Sequence, residues 1–288
     1  MKKISHQEIN SNSFTYKTFL NQKYRSLKHS NFFYVYDEIF KKFFGKKITL
    51  VEVGVTNGGS LFMWKEIFGN DARIIGIDFN PSAKRWEKYG FEIYIGNQSD
   101  NNFWEKFYSN VDNIDILIDD GGHTNDQQIV TLGETNDKIN DDGVLIFEDT
   151  HSSYMKEFGN PSKYSFINFC FQLANIQNEK ILEKENLYKY SEKIHKIEFY
   201  QCMVVFHFNK HKAEKSLVLD NGGEVLNSED YRLKDAKVFT FIDKIKKNLR
   251  EKISLRNYNY LKKIYPYFKF LVFKFKNLKD KKFFKKKF

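Results

Sequence analysis

The sequence predicts an α/β fold: an open, mostly parallel sheet of seven strands with crossover helices, closed at one edge by an antiparallel hairpin and flanked by helical appendages. Three observations carry this. Between Ile48 and about Phe208, short β-rich apolar runs alternate with helix-length amphipathic segments, the pattern of parallel strands joined by crossovers. The runs Ile116-Leu-Ile118 and Val144-Leu-Ile-Phe147 are continuously apolar, as central strands covered on both faces should be. The last two runs, Lys196–Tyr200 and Met203–Phe206, are too close in sequence for a crossover helix and must pair antiparallel.

Taken in order, Asn31–Phe40 reads as an amphipathic helix that covers the sheet or a partner subunit. Strands are expected near 48–54, 73–78, 91–96, 114–119, 143–148, 195–200 and 202–208, and helices near 60–69, 100–109, 125–138 and 162–178. The cluster Asn140-Asp-Asp-Gly143 marks a tight turn. Beyond the sheet, Val238, Phe241, Ile242, Ile245, Leu249 and Ile253 recur at helical spacing, giving a long helix suited to core packing or to contact within a homo-oligomer. The expected organisation is an N-terminal helical segment (1–45), a main domain (46–210), a helical appendage (211–261) and a tail (262–288).

The composition fits a folded chain of 288 residues, 41% hydrophobic with 3 Pro and unusually rich in rings, with 30 Phe and 17 Tyr. Residues 262–288 hold 11 of the 47 basic residues and one of the 37 acids, so the net charge of +10 resides in this tail and the rest is balanced at 36 against 36. Lysines interleaved with aromatic rings suit an anionic membrane surface; packing on the body with solvated lysines is the alternative, and nucleic acid the less favoured one, since no base-reading module accompanies the tail. There is no apolar secretion signal and no run near the roughly 18–20 apolar residues of a membrane span, so the expected location is the cytoplasm, peripheral to the inner face of the cell membrane if the tail attaches there. Cys170 and Cys202 offer no disulfide framework and no zinc spacing.

The first strand runs into Glu52-Val-Gly-Val-Thr-Asn-Gly-Gly-Ser60. Gly54, Gly58 and Gly59 let a ligand approach the backbone, and the helix N-terminus beyond attracts a carboxylate such as that of S-adenosylmethionine. The spacing is not the G-x-G-x-x-G of dinucleotide sites, which disfavours NAD. Asp78, ending the second strand, is placed to accept hydrogen bonds from ribose hydroxyls, or else serves as a turn residue before Asn80-Pro81. With Glu52, Asn57, Gly58 and Ser60 of the loop, Asn97, Gln98 and Asp119 complete the expected cofactor contacts; for Asn97 and Gln98 the alternative is a helix start capped by Ser99.

Strand four leads into Asp119-Asp-Gly-Gly-His123 and strand five into Glu148-Asp-Thr-His151-Ser-Ser-Tyr154. Carboxylates that converge repel unless a cation or proton compensates them, so Asp120, Glu148 and Asp149 are expected to hold Mg²⁺ or a similar divalent ion. Glu148 and Asp149 can share one ion only if the strand ends between them. Otherwise these acids cap helices or hold backbone amides. His123 is placed to act as general base on a hydroxyl, with a helix-start role as its alternative. His151 and Tyr154 follow the acidic pair and are the expected substrate contacts.

These four blocks, in order over about residues 48–155, resemble the macrocin and mycinamicin sugar O-methyltransferases and the related family named after cephalosporin hydroxylase. The resemblance implies a Rossmann-like class I methyltransferase fold, Mg²⁺ on the positions of Asp120, Glu148 and Asp149, vicinal sugar hydroxyls on the metal, and the base at His123. It further implies a saccharide acceptor, whether free, nucleotide-linked or lipid-linked; membrane attachment through the tail would suit an acceptor of surface polysaccharide biosynthesis (capsule or lipopolysaccharide). Methylation of a small metabolite or lipid without metal is the alternative enzyme reading, and nucleic-acid methylation a more remote one. Asn97 departs from the aspartate usual in its block, and only about 45 residues precede the first strand, where the family has a larger oligomerisation domain.

Overall fold

The computed structural model describes residues 12–180 and 192–224, with single positions between 244 and 285. The periodic run 238–253 and most of the tail 262–288 therefore lie outside the described residues. The chain falls into two compact units, residues 1–217 and 218–288. In the second, residues 218–224 are exposed, as are Tyr267, Phe270 and Leu271, with Lys274 Nζ 5.8 Å over the Phe270 ring.

The first unit is built on seven strands: β1 (Thr49–Val53), β2 (Arg73–Asp78), β3 (Glu92–Ile95), β4 (Ile114–Asp119), β5 (Ile139–Glu148), β6 (Ile194–Tyr200) and β7 (Met203–Phe208). Their order is β3-β2-β1-β4-β5-β7-β6, the first five parallel and β7 antiparallel to both its neighbours. The hairpin turns at Cys202, in left-handed backbone. The continuously apolar runs are the central strands: Ile116, Leu117, Ile118 and the whole of Val144–Phe147 are fully buried. The Asn140–Gly143 cluster is a break inside β5 rather than a turn before it: Asp142 takes φ +64°, and the register with β4 shifts there.

Helices α1 (Phe14–Leu20), α2 (Phe32–Phe40), α3 (Gly59–Phe68), α4 (Asn101–Tyr108), α5 (Asn125–Thr135) and α6 (Phe166–Glu179) surround the sheet. Helix α2 buries Phe32, Phe33, Val35, Tyr36, Ile39 and Phe40 in the same core as β1, β4 and β5. Rings of this size contribute about 1.5–3 kcal/mol each when buried, enough to commit α2 to the sheet face. Helix α1 falls within the expected N-terminal helical segment, whereas the 3₁₀ segment Pro81–Tyr89, started by the Asn80 side chain accepting from Ser82 N–H, stands outside the sequence expectation. The cap of α4 is Asp100, accepting from Asn102 N–H, not Ser99.

Register makes the site. Val53 pairs with Ile77 on one side and Asp119 on the other, and Asp119 with Phe147. Gly54, Asp78, Asp120 and Glu148 therefore stand in one row, one residue further on, at the carboxyl edge where the strand order reverses between β1 and β4. Open α/β sheets bind their ligands in that crevice.

Candidate active site

Two clefts of about 340 Å³ each open along this row and share Gly54, Thr56, Asp120 and Gly121. The first is bordered by Asp78, Phe79, Asn97 and Gln98. The second is bordered by Asn57, Ser60, His123 and Asp149, with Arg25, Ser26 and Leu27 of the segment before α2.

The first cleft is held by hydrogen bonds made within the chain. Asp78 Oδ2 accepts from Val55 N–H at 3.0 Å and Thr56 N–H at 2.9 Å, and Oδ1 from Asn80 N–H at 2.8 Å. It thereby ties the β1 loop to β2. Buried Gln98 donates to Asp119 Oδ2 at 2.9 Å and accepts from Gly122 N–H at 3.0 Å. Burial pushes Asp119 up, opposed first by that Gln98 bond. Asn97 accepts from the Ser99 N–H and hydroxyl, so it lines the cleft while shaping its own turn. The glycines serve close contact within the chain: a Cβ on Gly54, at φ +94°, would lie 2.0 Å from the Asp120 carbonyl oxygen, and one on Gly58 would lie 2.5 Å from the Trp86 ring.

The second cleft gathers the acids and a cation that the motifs did not reveal. Lys28, fully buried, places Nζ 2.7 Å from Asp120 Oδ2, 2.7 Å from Glu148 Oε2 and 3.8 Å from Glu52 Oε1. Burial alone would lower its ammonium, but the charges of Asp120, Glu148 and Glu52 reverse that and hold it well above the usual lysine value. Three buried or half-buried carboxylates share one ammonium. Glu148 is accordingly pushed up to about 8, by burial against the pull of Lys28 and with Asp120 adding to the rise; Glu52 is pushed up to about 7 by burial, against Lys28 and the Ser60 hydroxyl that donates to it at 2.7 Å. Tyr36 of α2 donates to the other oxygen of Glu148.

Asp149 follows in left-handed backbone, φ +53° and ψ +30°, so β5 ends between the two acids. Glu148 turns into the interior toward Lys28 while Asp149 lies on the cleft. The structure brings together Asp120, His123 and Asp149, whose ligand atoms all lie within 4.8 Å of one another; Glu148 is not in that group, and its two oxygens are taken by Lys28 and Tyr36. Glu52 is likewise buried beneath the loop. His123, at φ +57°, presents Nε2 3.8 Å from Asp120 Oδ1 and 3.5 Å from Asp149 Oδ2, just before the Thr124–Gln127 capping box of α5. His29 Nε2 lies 3.2 Å from Asp149 Oδ1, and His151 Nδ1 3.9 Å from it. Tyr154 is 61% exposed and lines neither cleft.

The residues present suit a hard divalent cation: Asp120 and Asp149 bring carboxylate oxygens within 4.8 Å of one another and of the His123 ring, at the edge of the cleft. Sequence reasoning missed Lys28, His29, Arg25 and Tyr36. The only hint lay in the crowding itself, since converging carboxylates demand positive charge without saying whether a metal or a lysine supplies it.

Residues 51–150 match a family described as a methyltransferase domain. This segment, about a third of the chain, is similar to that domain. Its matched curated relatives include the 8-demethyl-8-α-L-rhamnosyl tetracenomycin-C 2′-O-methyltransferase of Streptomyces olivaceus, 28% identical over 130 residues, which are 43% of this chain and 34% of that protein. The demethylmacrocin O-methyltransferase of Streptomyces fradiae is 26% identical over 134 residues, 44% and 33% respectively. The aligned segment is about a third of the length of these relatives. The fold is similar to that of the mycinamicin-pathway methyltransferase MycE, solved in complex with Mg and SAH: TM-score 0.60 at 21% identity, over 68% of this chain and 54% of that one. Among the described residues, no helix is long and apolar enough to cross a membrane.

Proposed function

We propose that this protein transfers the methyl group of S-adenosylmethionine to a hydroxyl of a saccharide. The observation that carries the reading is the meeting of two clefts at Gly54, Asp120 and Gly121, one glycine-lined and nucleoside-sized, the other walled by Asp120, Asp149 and His123. The sulfonium is already activated, so alignment of donor and acceptor across this shared lip accounts for much of the catalysis. His123 accepts the hydroxyl proton at Nε2, between two carboxylates that stabilise the charge it gains. A divalent cation would be held by Asp120 and Asp149 and, when bound, would ease deprotonation of the hydroxyl. Relatives named as sugar O-methyltransferases support the acceptor class. We place the acceptor in surface polysaccharide biosynthesis at the cytoplasmic face, with the Lys- and Phe-rich tail 262–288 attaching the enzyme to anionic lipid.

One observation favours a metal-free variant: Lys28 already sets a positive charge against Asp120. Labelled S-adenosylmethionine incubated with the purified protein and cell glycans, with Mg²⁺ or with EDTA, decides. Label entering glycan only with Mg²⁺ supports the metal reading. Undiminished transfer in EDTA removes the metal, and absence of label in glycan overturns the sugar assignment. Loss of vesicle co-sedimentation on deletion of 262–288 would support the tail's role, and equal sedimentation would remove it.

A further inference from the structure

Beside the second cleft lies a groove of about 550 Å³ that neither the family match nor the motifs account for. Its charged lining is Lys23, Arg25, Arg85 and Lys88, and no acid borders it. None of these four side chains forms an ion pair among the described residues. Neighbouring basic residues do find partners: Lys84 pairs with Glu87 at 2.6 Å, and Arg73 with Glu92 at 2.6 Å. The surplus is local, since outside the tail the chain carries as many acids as bases.

The groove is also shaped. Tyr24 packs edge-on against Trp86 at 4.7 Å and shares a 2.6 Å hydroxyl contact with Tyr89. Trp86 fits there because Gly58 has no side chain to displace it. Arg85 is anchored by donating from Nε to the Ser82 carbonyl at 2.8 Å and from its terminal nitrogen to the Ser82 hydroxyl at 2.7 Å. Arg25 and Asn57 border both this groove and the cleft that holds Asp120, His123 and Asp149, so the two form one continuous surface.

We infer that the acceptor sugar arrives on a pyrophosphate ester, with the pyrophosphate seated among Arg25, Arg85 and Lys88 while the sugar lies toward Asp149. This rests on the saccharide reading above and narrows its substrate class. Clustered guanidinium and ammonium groups match phosphate oxygens in geometry and charge. The volume is that of a site for one small ligand, not for a stretch of polymer. Half-exposed Tyr89 offers a face on which a nucleobase stacks, or against which the first isoprene of a lipid carrier packs.

The test is calorimetric titration of the full chain at low salt in EDTA, with inorganic pyrophosphate, UDP, farnesyl pyrophosphate and, separately, S-adenosylmethionine. Pyrophosphate compounds should bind the wild type. Affinity should fall by about tenfold or more in Arg85→Gln/Lys88→Gln, whose residues are exposed on a short surface segment, while S-adenosylmethionine binding stays unchanged. UDP binding more tightly than farnesyl pyrophosphate identifies a nucleotide sugar, and the reverse identifies a lipid carrier. Absence of binding, equal binding by the double variant, or displacement of UDP by short single-stranded RNA at lower concentration than pyrophosphate overturns the inference. Binding of S-adenosylmethionine without pyrophosphate removes the groove and spares methyl transfer; the opposite result removes methyl transfer and keeps an anion site.

Discussion

The two clefts stand a few residues apart on one sheet edge and treat their acids in opposite ways. In the first, Asp78 is satisfied by three backbone N–H groups and Asp119 by a buried glutamine, so these carboxylates brace the loops. In the second, Glu52, Asp120 and Glu148 compete for one ammonium, Asp149 Oδ1 faces the ring of His29 at 3.2 Å, and His123 Nδ1 has no hydrogen-bond partner. Unmet capacity of that kind is costly in an interior, and it gathers where a ligand completes it. In the first cleft the acids are committed to the chain's own frame; in the second, Asp120 and Asp149 border the cleft.

The sharpest way to break this contrast is His123→Ala. Loss of the proton acceptor should reduce turnover on the order of 10²–10⁴-fold with little change in S-adenosylmethionine affinity. Steady-state kinetics beside calorimetry measures both, and a variant that lost cofactor binding instead would place His123 in the frame.

Lys28→Met comes next. Removing the one cation shared by buried carboxylates should cost about 3–5 kcal/mol in chemical unfolding. The freed acids should then bind Mg²⁺ more tightly, so that the ion raises the variant's melting temperature more than the wild type's. An equal response in both proteins would separate the lysine from the ion.

In the first cleft the effects should be smaller. Asp78→Ala deprives Val55, Thr56 and Asn80 N–H groups of their acceptor and should weaken cofactor binding by about 1–3 kcal/mol while leaving divalent-ion binding intact. Coupled loss of both would show that the clefts are not separable.

The smallest expected effect is a slope with pH. Glu52, raised to about 7, and Glu148, raised to about 8, keep protons in the fold that the unfolded chain has released above its ordinary carboxyl value near 4.5. Their contribution to stability is therefore full below that value and is lost as pH rises through 7 and 8. Melting temperatures between pH 6.5 and 8.5 should fall in the wild type and fall less in Glu148→Gln.

The sequence by itself determined the strands and the rim. Apolar runs, the glycine loop after β1 and acids at the ends of β4 and β5 are local patterns, and parallel register carries residues at strand ends to one edge wherever the rest of the chain goes. It also determined that positive charge was needed there. Only the tertiary structure decided which charge and where. Lys28 is one of 47 basic residues and has no neighbouring pattern to mark it; its meaning comes from carboxylates 24, 92 and 120 positions away, brought to it by β1, β4 and β5. The left-handed turn at Asp149 separates two adjacent acids into different surroundings, one buried on Lys28 and Tyr36 and one open to the cleft. No side-chain periodicity encodes that turn. The basic groove has the same origin, assembled from the segment before α2 and the Pro81–Tyr89 segment. Short-range signals write backbone elements, whereas burial and charge balance are set by residues far apart in the chain.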